Sequence, residues 1–287
     1  MLATFVACAE TPKTDRPLVN TFPPPRSADS PSGSSNAATV AASPQAKQET
    51  PATAVWTSLE GLLFSQRPAW RQWGEQHLQT GDLVFTRGNY YILLGMLNFT
   101  DISTQICQSE FSHVGIVAVE EGVPMVYDVS NRGVDKLPFG HYVTQSGFQR
   151  VTIKRPDPSL YQALPATLEF VRRQASEGKQ FDHRFEMGSD KFYCTELIAA
   201  AFSEAGVELC QPTLVSQLPG RATANPVSVE LLKRLTGLQE HTAIYCIGNS
   251  NYGLIGNPLL REILPPTEIG WGAGKRPAES QISRFGM

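Results

Sequence analysis

Two residues far apart in the chain could form a nucleophile and its base. Cys194 lies in Phe192-Tyr193-Cys194-Thr195-Glu196-Leu197, and His113 lies in Phe111-Ser112-His113-Val114-Gly115-Ile116-Val117. A thiolate attacks carbonyl carbon, and an imidazole can take the thiol proton and pass it to a leaving group. Residues after Cys194 decide where the sulfur sits. Leu197, Ile198, Ala201, Phe202 and Ala205 recur at three- and four-residue spacing, an apolar stripe of helical period. Ser189 and Asp190 are cap-type residues upstream, Gly206 is a stop, and the spacing predicts a helix from about Lys191 to Ala205. Cys194 then falls in the first turn, where free N–H groups and the helix dipole favour a thiolate and could hold an oxyanion.

His113 opens a run rich in β-branched residues, Val114 to Val119, followed by Glu120-Glu121-Gly122 and a second run from Met125 to Val129. This reads as a hairpin. A turn centred on Glu121-Gly122 places His113 opposite Ser130 and diagonal to Asp128 on one face. Asp128 could accept the imidazole N–H, with Ser130 as the alternative; a slip of one residue would turn Asp128 to the other face.

Gly81-Asp82-Leu83-Val84-Phe85, the His113 motif, Val126-Tyr127-Asp128, Phe181-Asp182 and the Cys194 motif occur in that order. Together they resemble the circularly permuted papain-like cysteine hydrolases of the YiiX/YebB kind, relatives of NlpC-type cell-wall peptidases. The histidine precedes the cysteine, the reverse of the papain order. The match covers about residues 80 to 245. Thr195 stands where the family has serine, and Asp128 where it often has glutamate or another polar residue.

The resemblance implies hydrolysis of an amide or ester through a thioester on Cys194. His113 acts as base and acid, the Cys194 N–H helps hold the oxyanion, and Tyr193, Thr195 and Asp182 lie near substrate. It calls for no metal and no organic cofactor. Three functions follow: a cysteine amidase or peptidase acting on peptide or cell-wall peptide, a thiol-dependent lipase or acyltransferase acting on acyl lipids, or a binding module that keeps the fold.

The expected class is α+β, a small antiparallel sheet with helices on its side. Strands are predicted at Asp82–Thr86, around His113 and Asp128, at Phe148–Lys154 and at Thr242–Ile247. Helices are predicted at Ala69–Gln79, Pro165–Ser176 and Val227–Leu235, beside the one that carries Cys194. The apolar run Tyr90 to Phe99 reads as a buried helix or as a wall suited to an acyl chain. Residues 56–250 form the catalytic domain, and residues 251–287 a C-terminal extension of no clear period.

Residues 1–55 read as a possible truncated lipoprotein signal followed by a disordered tether. Pro, Ser, Ala and Thr dominate 9–55, which holds too little apolar surface to offset the entropy of ordering. Met1 to Ala7 before Cys8 lacks a basic start and a full apolar stretch. Were translation to start further upstream, Cys8 would be lipidated and would tether the protein to a membrane of a bacterial cell envelope; the alternative is a cytoplasmic protein. A net charge of −3 gives no basic footprint for nucleic acid. Cys107, Cys210 and Cys246 lack metal-ligand spacing, and Cys210 with Cys246 could bridge in an oxidising compartment. His183 borders the nucleophile segment and is the other histidine to follow.

Overall fold

The computed structural model of the chain describes residues 59–88, 91–92, 97–145 and 148–269, with side chains from residue 66 except over 91–97. The tether read over 1–55, Cys8 within it, and the chain beyond 269 lie outside the described residues.

Helix α1 (Leu59–His77) leads into β1 (Leu83–Arg87). Two short strands, β2 (Tyr91–Ile92) and β3 (Leu97–Asn98), pair antiparallel ahead of α2 (Phe99–Ile106). The apolar 90–99 run is therefore not one helix. Its aromatic and β-branched start favours extended backbone. Asn98 ends it by capping α2, its side-chain oxygen accepting the Asp101 N–H. A meander follows: β4 (His113–Glu120), β5 (Val123–Ser130) and β6 (Gly133–Pro138). Glu121 and Gly122 both have positive φ, 51° and 82°, as a tight hairpin turn requires. After α3 (Phe139–Val143) come β7 (Arg150–Pro156), α4 (Leu164–Ser176), α5 (Cys194–Glu204), β8 (Thr213–Leu214), α6 (Pro226–Thr236), β9 (Ala243–Ile244) and β10 (Leu260–Glu268).

The central sheet has six strands in the order β10-β7-β1-β4-β5-β6. Every neighbouring pair is antiparallel. The class is α+β. Strand alternation divides the core between two faces. Leu83, Phe85, Val114, Ile116 and Ala118 pack with α4 and α5 on one face. Val84, Val117, Val126 and Ile153 pack with Trp70 and Trp73 of α1 and Phe139 and Tyr142 of α3 on the other.

Two stretches differ from the sequence expectation. The segment Thr242–Ile247 contributes only Ala243–Ile244, and these pair with β8 outside the central sheet. Part of the stretch read as an extension supplies β10, the sheet's edge strand. Register shifts flank Leu264, and Pro265 and Pro266 hide the alternation; an edge strand tolerates both.

Asp82 fastens the first strand to its surroundings. Its carboxylate, buried, takes two hydrogen bonds from Arg155, Nε to Oδ1 at 2.7 Å and Nη2 to Oδ2 at 2.9 Å. It also accepts the Gln79 N–H at 2.8 Å, while Arg155 Nη2 donates to the His77 carbonyl at 2.7 Å. One pair thus ties the end of α1, β1 and β7. Replacing Asp82 by Asn leaves the largely buried Arg155 without its counter-charge, and the expected loss is about 3–5 kcal/mol. Urea unfolding of wild type and Asp82→Asn checks this; a loss under about 1 kcal/mol would show that Arg155 finds water instead.

Candidate active site

The Cys194 helix starts later than the cap-type residues suggest. Its N-cap is Tyr193 (φ −104°, ψ 166°), with no side-chain cap, and Cys194 is the first helical residue. Ser189 is occupied in its own turn, accepting the Lys191 N–H at 3.2 Å. The first-turn N–H groups beside the sulfur are thus not covered by a capping side chain, which is what an oxyanion needs. Leu197, Ile198, Ala201 and Phe202 bury the apolar stripe against the sheet and hold the helix in place.

His113 opens β4 opposite Thr86 of β1. The β4–β5 register, Ile116 to Tyr127 and Val117 to Val126, brings Asp128 level with Gly115. His113 Nε2 lies 2.7 Å from Asp128 Oδ2. Gly115 makes this approach possible. A Cβ there would stand 2.6 Å from Val126 Cγ1, 2.8 Å from the Tyr127 carbonyl oxygen and 3.2 Å from Asp128 Cβ. With Nε2 taken by Asp128, Nδ1 is the ring nitrogen left for the sulfur.

The electrostatics follow from this chain of groups. Burial pushes the Cys194 thiol up, but the His113 charge and hydrogen bonds from His113, the Thr195 hydroxyl and the Val114 N–H hold it below the ordinary thiol value. Burial likewise pulls His113 down, yet the Cys194 charge and the Asp128 hydrogen bond raise it to about 10. Both shifts run in the direction of a thiolate beside an imidazolium, with Asp128 on the far side of the ring.

Other candidates from the sequence fall into different places. Thr195 Oγ1 lies 3.8 Å from the Cys194 sulfur. The Tyr193 hydroxyl accepts the Tyr245 N–H at 2.7 Å, and its ring packs on Phe185 with centroids 4.9 Å apart. Asp182 is turned to the backbone: its oxygens accept the N–H groups of Arg184 at 2.8 Å and Glu186 at 2.6 Å. It shapes the loop before Cys194 and is not among the residues that line the adjoining cavity. His183 is exposed and packs at an angle on Phe181. Ser130 Oγ accepts the Arg132 N–H at its own turn.

Tyr142 and Phe148 complete the site and had no signal in the sequence. Their rings flank His113 at centroid distances of 6.4 and 6.3 Å. The hydroxyls of Tyr142 and Thr86 are both buried and face each other. Burial and the nearby Asp128 charge hold Tyr142 far above its ordinary pKa, so it stays a neutral donor.

Beside Cys194 opens a cavity with about 830 Å³ of empty space, its opening to solvent included. Cys107 and Cys246 share its wall with Cys194. Here the expected pairing changes: Cys107 donates to Cys246 with the sulfurs 3.7 Å apart, while Cys210 is buried in the core against α5. Among the described residues no group of three His, Cys, Asp or Glu is placed to hold a metal ion, and no helix is long and apolar enough to cross a membrane.

The site and the permuted order of histidine and cysteine define a papain-like hydrolase. The chain belongs to the family of permuted papain-like amidases, YaeF/YiiX, C92, which it matches over residues 77–228, and is thus a hydrolase of the amidase type. A solved structure titled metalloprotein YiiX from Escherichia coli O157:H7 has the same fold. It matches at a TM-score of 0.54 and 18% identity, over 65% of this chain and 97% of that one. A search of curated proteins gave no match.

Two measurements follow. Iodoacetamide should label Cys194 well below the pH at which an ordinary thiol of pKa about 8.5 reacts. Cys210, pushed up to about 12 by burial and Glu208, should stay silent there. The sign is set by the pair: the thiolate is present above the lowered Cys194 value and loses its cation as pH rises through about 10. His113→Ala removes that cation, so labelling of Cys194 must move to higher pH; an unchanged profile would show that the histidine does not activate it. Separately, oxidised glutathione should yield a Cys107–Cys246 crosslink before any that contains Cys210, read by peptide mapping without reduction.

Proposed function

We propose that this protein hydrolyses amide bonds by covalent catalysis, with Cys194 as nucleophile and His113 as base and then acid. The observation that carries this is the sequence of contacts from the Cys194 sulfur through His113 to Asp128, with the sulfur at the uncapped start of α5. The Cys194 thiolate adds to the amide carbon, and the carbonyl oxygen becomes an anion facing the first-turn N–H groups. As the C–N bond breaks, imidazolium His113 gives its proton to the departing nitrogen. Water then attacks the thioester, His113 takes the water's proton, and the carboxylic acid leaves as the S–C bond breaks. Asp128 holds the ring in register and supports its positive charge.

The peptide or wall-peptide expectation would favour polar groups around the sulfur, to meet the amides and carboxylates of such substrates. The cavity wall is instead mostly apolar, and Arg221 and Lys233 on it both pair with Glu240, at 2.9 and 3.0 Å. That favours a substrate like those of the second class, acyl lipids, on the acyl side of the bond cleaved.

On N-acyl nitroanilides, Cys194→Ala and His113→Ala should each cut turnover by on the order of a thousandfold or more. Asp128→Asn should cost less, on the order of tenfold to a hundredfold, because the base remains and only its orientation and charge support weaken. Folded Cys194→Ala protein with wild-type turnover would rule out the thioester.

A further inference from the structure

We propose that Cys107 and Cys246 are a redox-modification site, whose reversible disulfide, made by exchange with a small disulfide of the glutathione class, slows the nucleophile Cys194. This goes beyond the crosslink itself to its effect on the site, and it rests on Cys194 as the reactive sulfur.

Three observations carry it. First, the fold holds the two thiols ready to react. Their sulfurs lie 3.7 Å apart although the residues are 139 positions apart in sequence. Both backbones are tied to one turn. The Tyr252 hydroxyl donates to the Cys107 carbonyl, and the Leu254 N–H donates to the Cys246 carbonyl at 3.0 Å. A disulfide brings its sulfurs to about 2 Å, so closing the bond asks for a local shift and no rearrangement of the sheet.

Second, the two thiols differ in the way an exchange reaction uses. Cys107, at the C-terminal cap of α2, is half-buried and open to a reagent. Cys246 is buried, and contact with Cys107 together with that burial holds its thiol far above the ordinary value. Cys107 therefore meets the small disulfide first. Its thiolate attacks one sulfur of the oxidant and expels one small thiol; Cys246 then gives up its proton, attacks the Cys107 sulfur and expels the second. One protein dithiol and one small disulfide become one protein disulfide and two small thiols. Two electrons pass from the cysteines to the oxidant, and the two thiol protons end on the thiols released. A reducing dithiol runs the same steps backwards.

Third, the pair lies one hydrogen bond from the nucleophile's helix. Tyr245, next to Cys246, donates its N–H to the Tyr193 hydroxyl at 2.7 Å. Tyr193 is the N-cap of α5, directly before Cys194, and is itself buried. Cys107, Cys246, Tyr193 and Cys194 all line one cavity. Drawing Cys246 toward α2 displaces the Tyr245 N–H and with it Tyr193, whose backbone sets where the sulfur and the first-turn N–H groups stand. A misplacement of about 1 Å at a reacting centre costs on the order of a hundredfold in rate, so even part of this shift is felt.

The test equilibrates the full chain with oxidised glutathione and assigns the products by peptide mapping without reduction. Two rates are then measured: iodoacetamide capture of the free Cys194 thiol, and turnover of an N-acyl nitroanilide. In wild type both should fall on the order of tenfold or more as the Cys107–Cys246 disulfide forms, and dithiothreitol should restore them. Cys107→Ala, compared with its own untreated form, should keep its starting rates. If circular dichroism shows that variant unfolded, Cys107→Ser carries the same expectation. An equal loss in wild type and variant means that glutathione attacks Cys194 directly, and overturns the proposal. A disulfide formed with both rates unchanged overturns it too and leaves the amidase reading intact. Slower Cys194 capture on crosslinking, with no nitroanilide turned over in either state, supports the redox site and overturns amide hydrolysis.

Discussion

The hydrogen bond between His113 Nε2 and Asp128 Oδ2, at 2.7 Å, ties the arrangement of the sheet to the chemistry. It exists only if β4 and β5 pair in one register, because shifting either strand by one residue turns Asp128 to the opposite face. It also needs bare backbone at Gly115, where any side chain would collide with Val126 and the Tyr127 carbonyl and crowd Asp128. The Glu121-Gly122 turn sets that register from within the hairpin, and β1 and β6 clamp it from either side. The short, plain hairpin thus fixes the ring and leaves its second nitrogen for the sulfur.

A thiolate beside an imidazolium is costly to bury, and the fold supplies several partial compensations in place of one strong one. The start of α5 contributes oriented N–H groups, Val114 and Thr195 donate to the sulfur, and Asp128 stands behind the ring. These groups come from β4, β5 and α5, elements held by packing on the two faces of the sheet. Apolar burial holds these elements, and with them the charges, in place.

How much of this could be read from the residues depends on how local each signal was. The His113 strand and the Cys194 helix follow from a β-branched run and a helical stripe, and the hairpin register follows from a Gly-containing turn. The start of α5 was misplaced because Ser189 and Asp190 look like caps, whereas the loop before Cys194 is built on Asp182. In β10, two prolines and register shifts erase the alternation on which a strand reading depends. The meeting of Cys107 with Cys246, and of Tyr142 and Phe148 with His113, joins segments far apart in sequence. No spacing rule encodes such contacts; they exist only once the sheet has formed.

Much of the cavity wall, with Ile106, Val215, Leu218, Val229, Leu232 and Leu238, belongs to a third hydrophobic cluster, while Phe111, Cys194 and Ile247 on the same wall belong to the cluster between the sheet and α5. This partial separation has an evolutionary reading. Substitutions confined to the third cluster, in α2, α6 and the segments beside them, can alter what the sulfur meets while the strands that align the imidazole keep their own packing. A lineage built this way can diversify its substrates by exchanging one side of the cleft while inheriting the other unchanged.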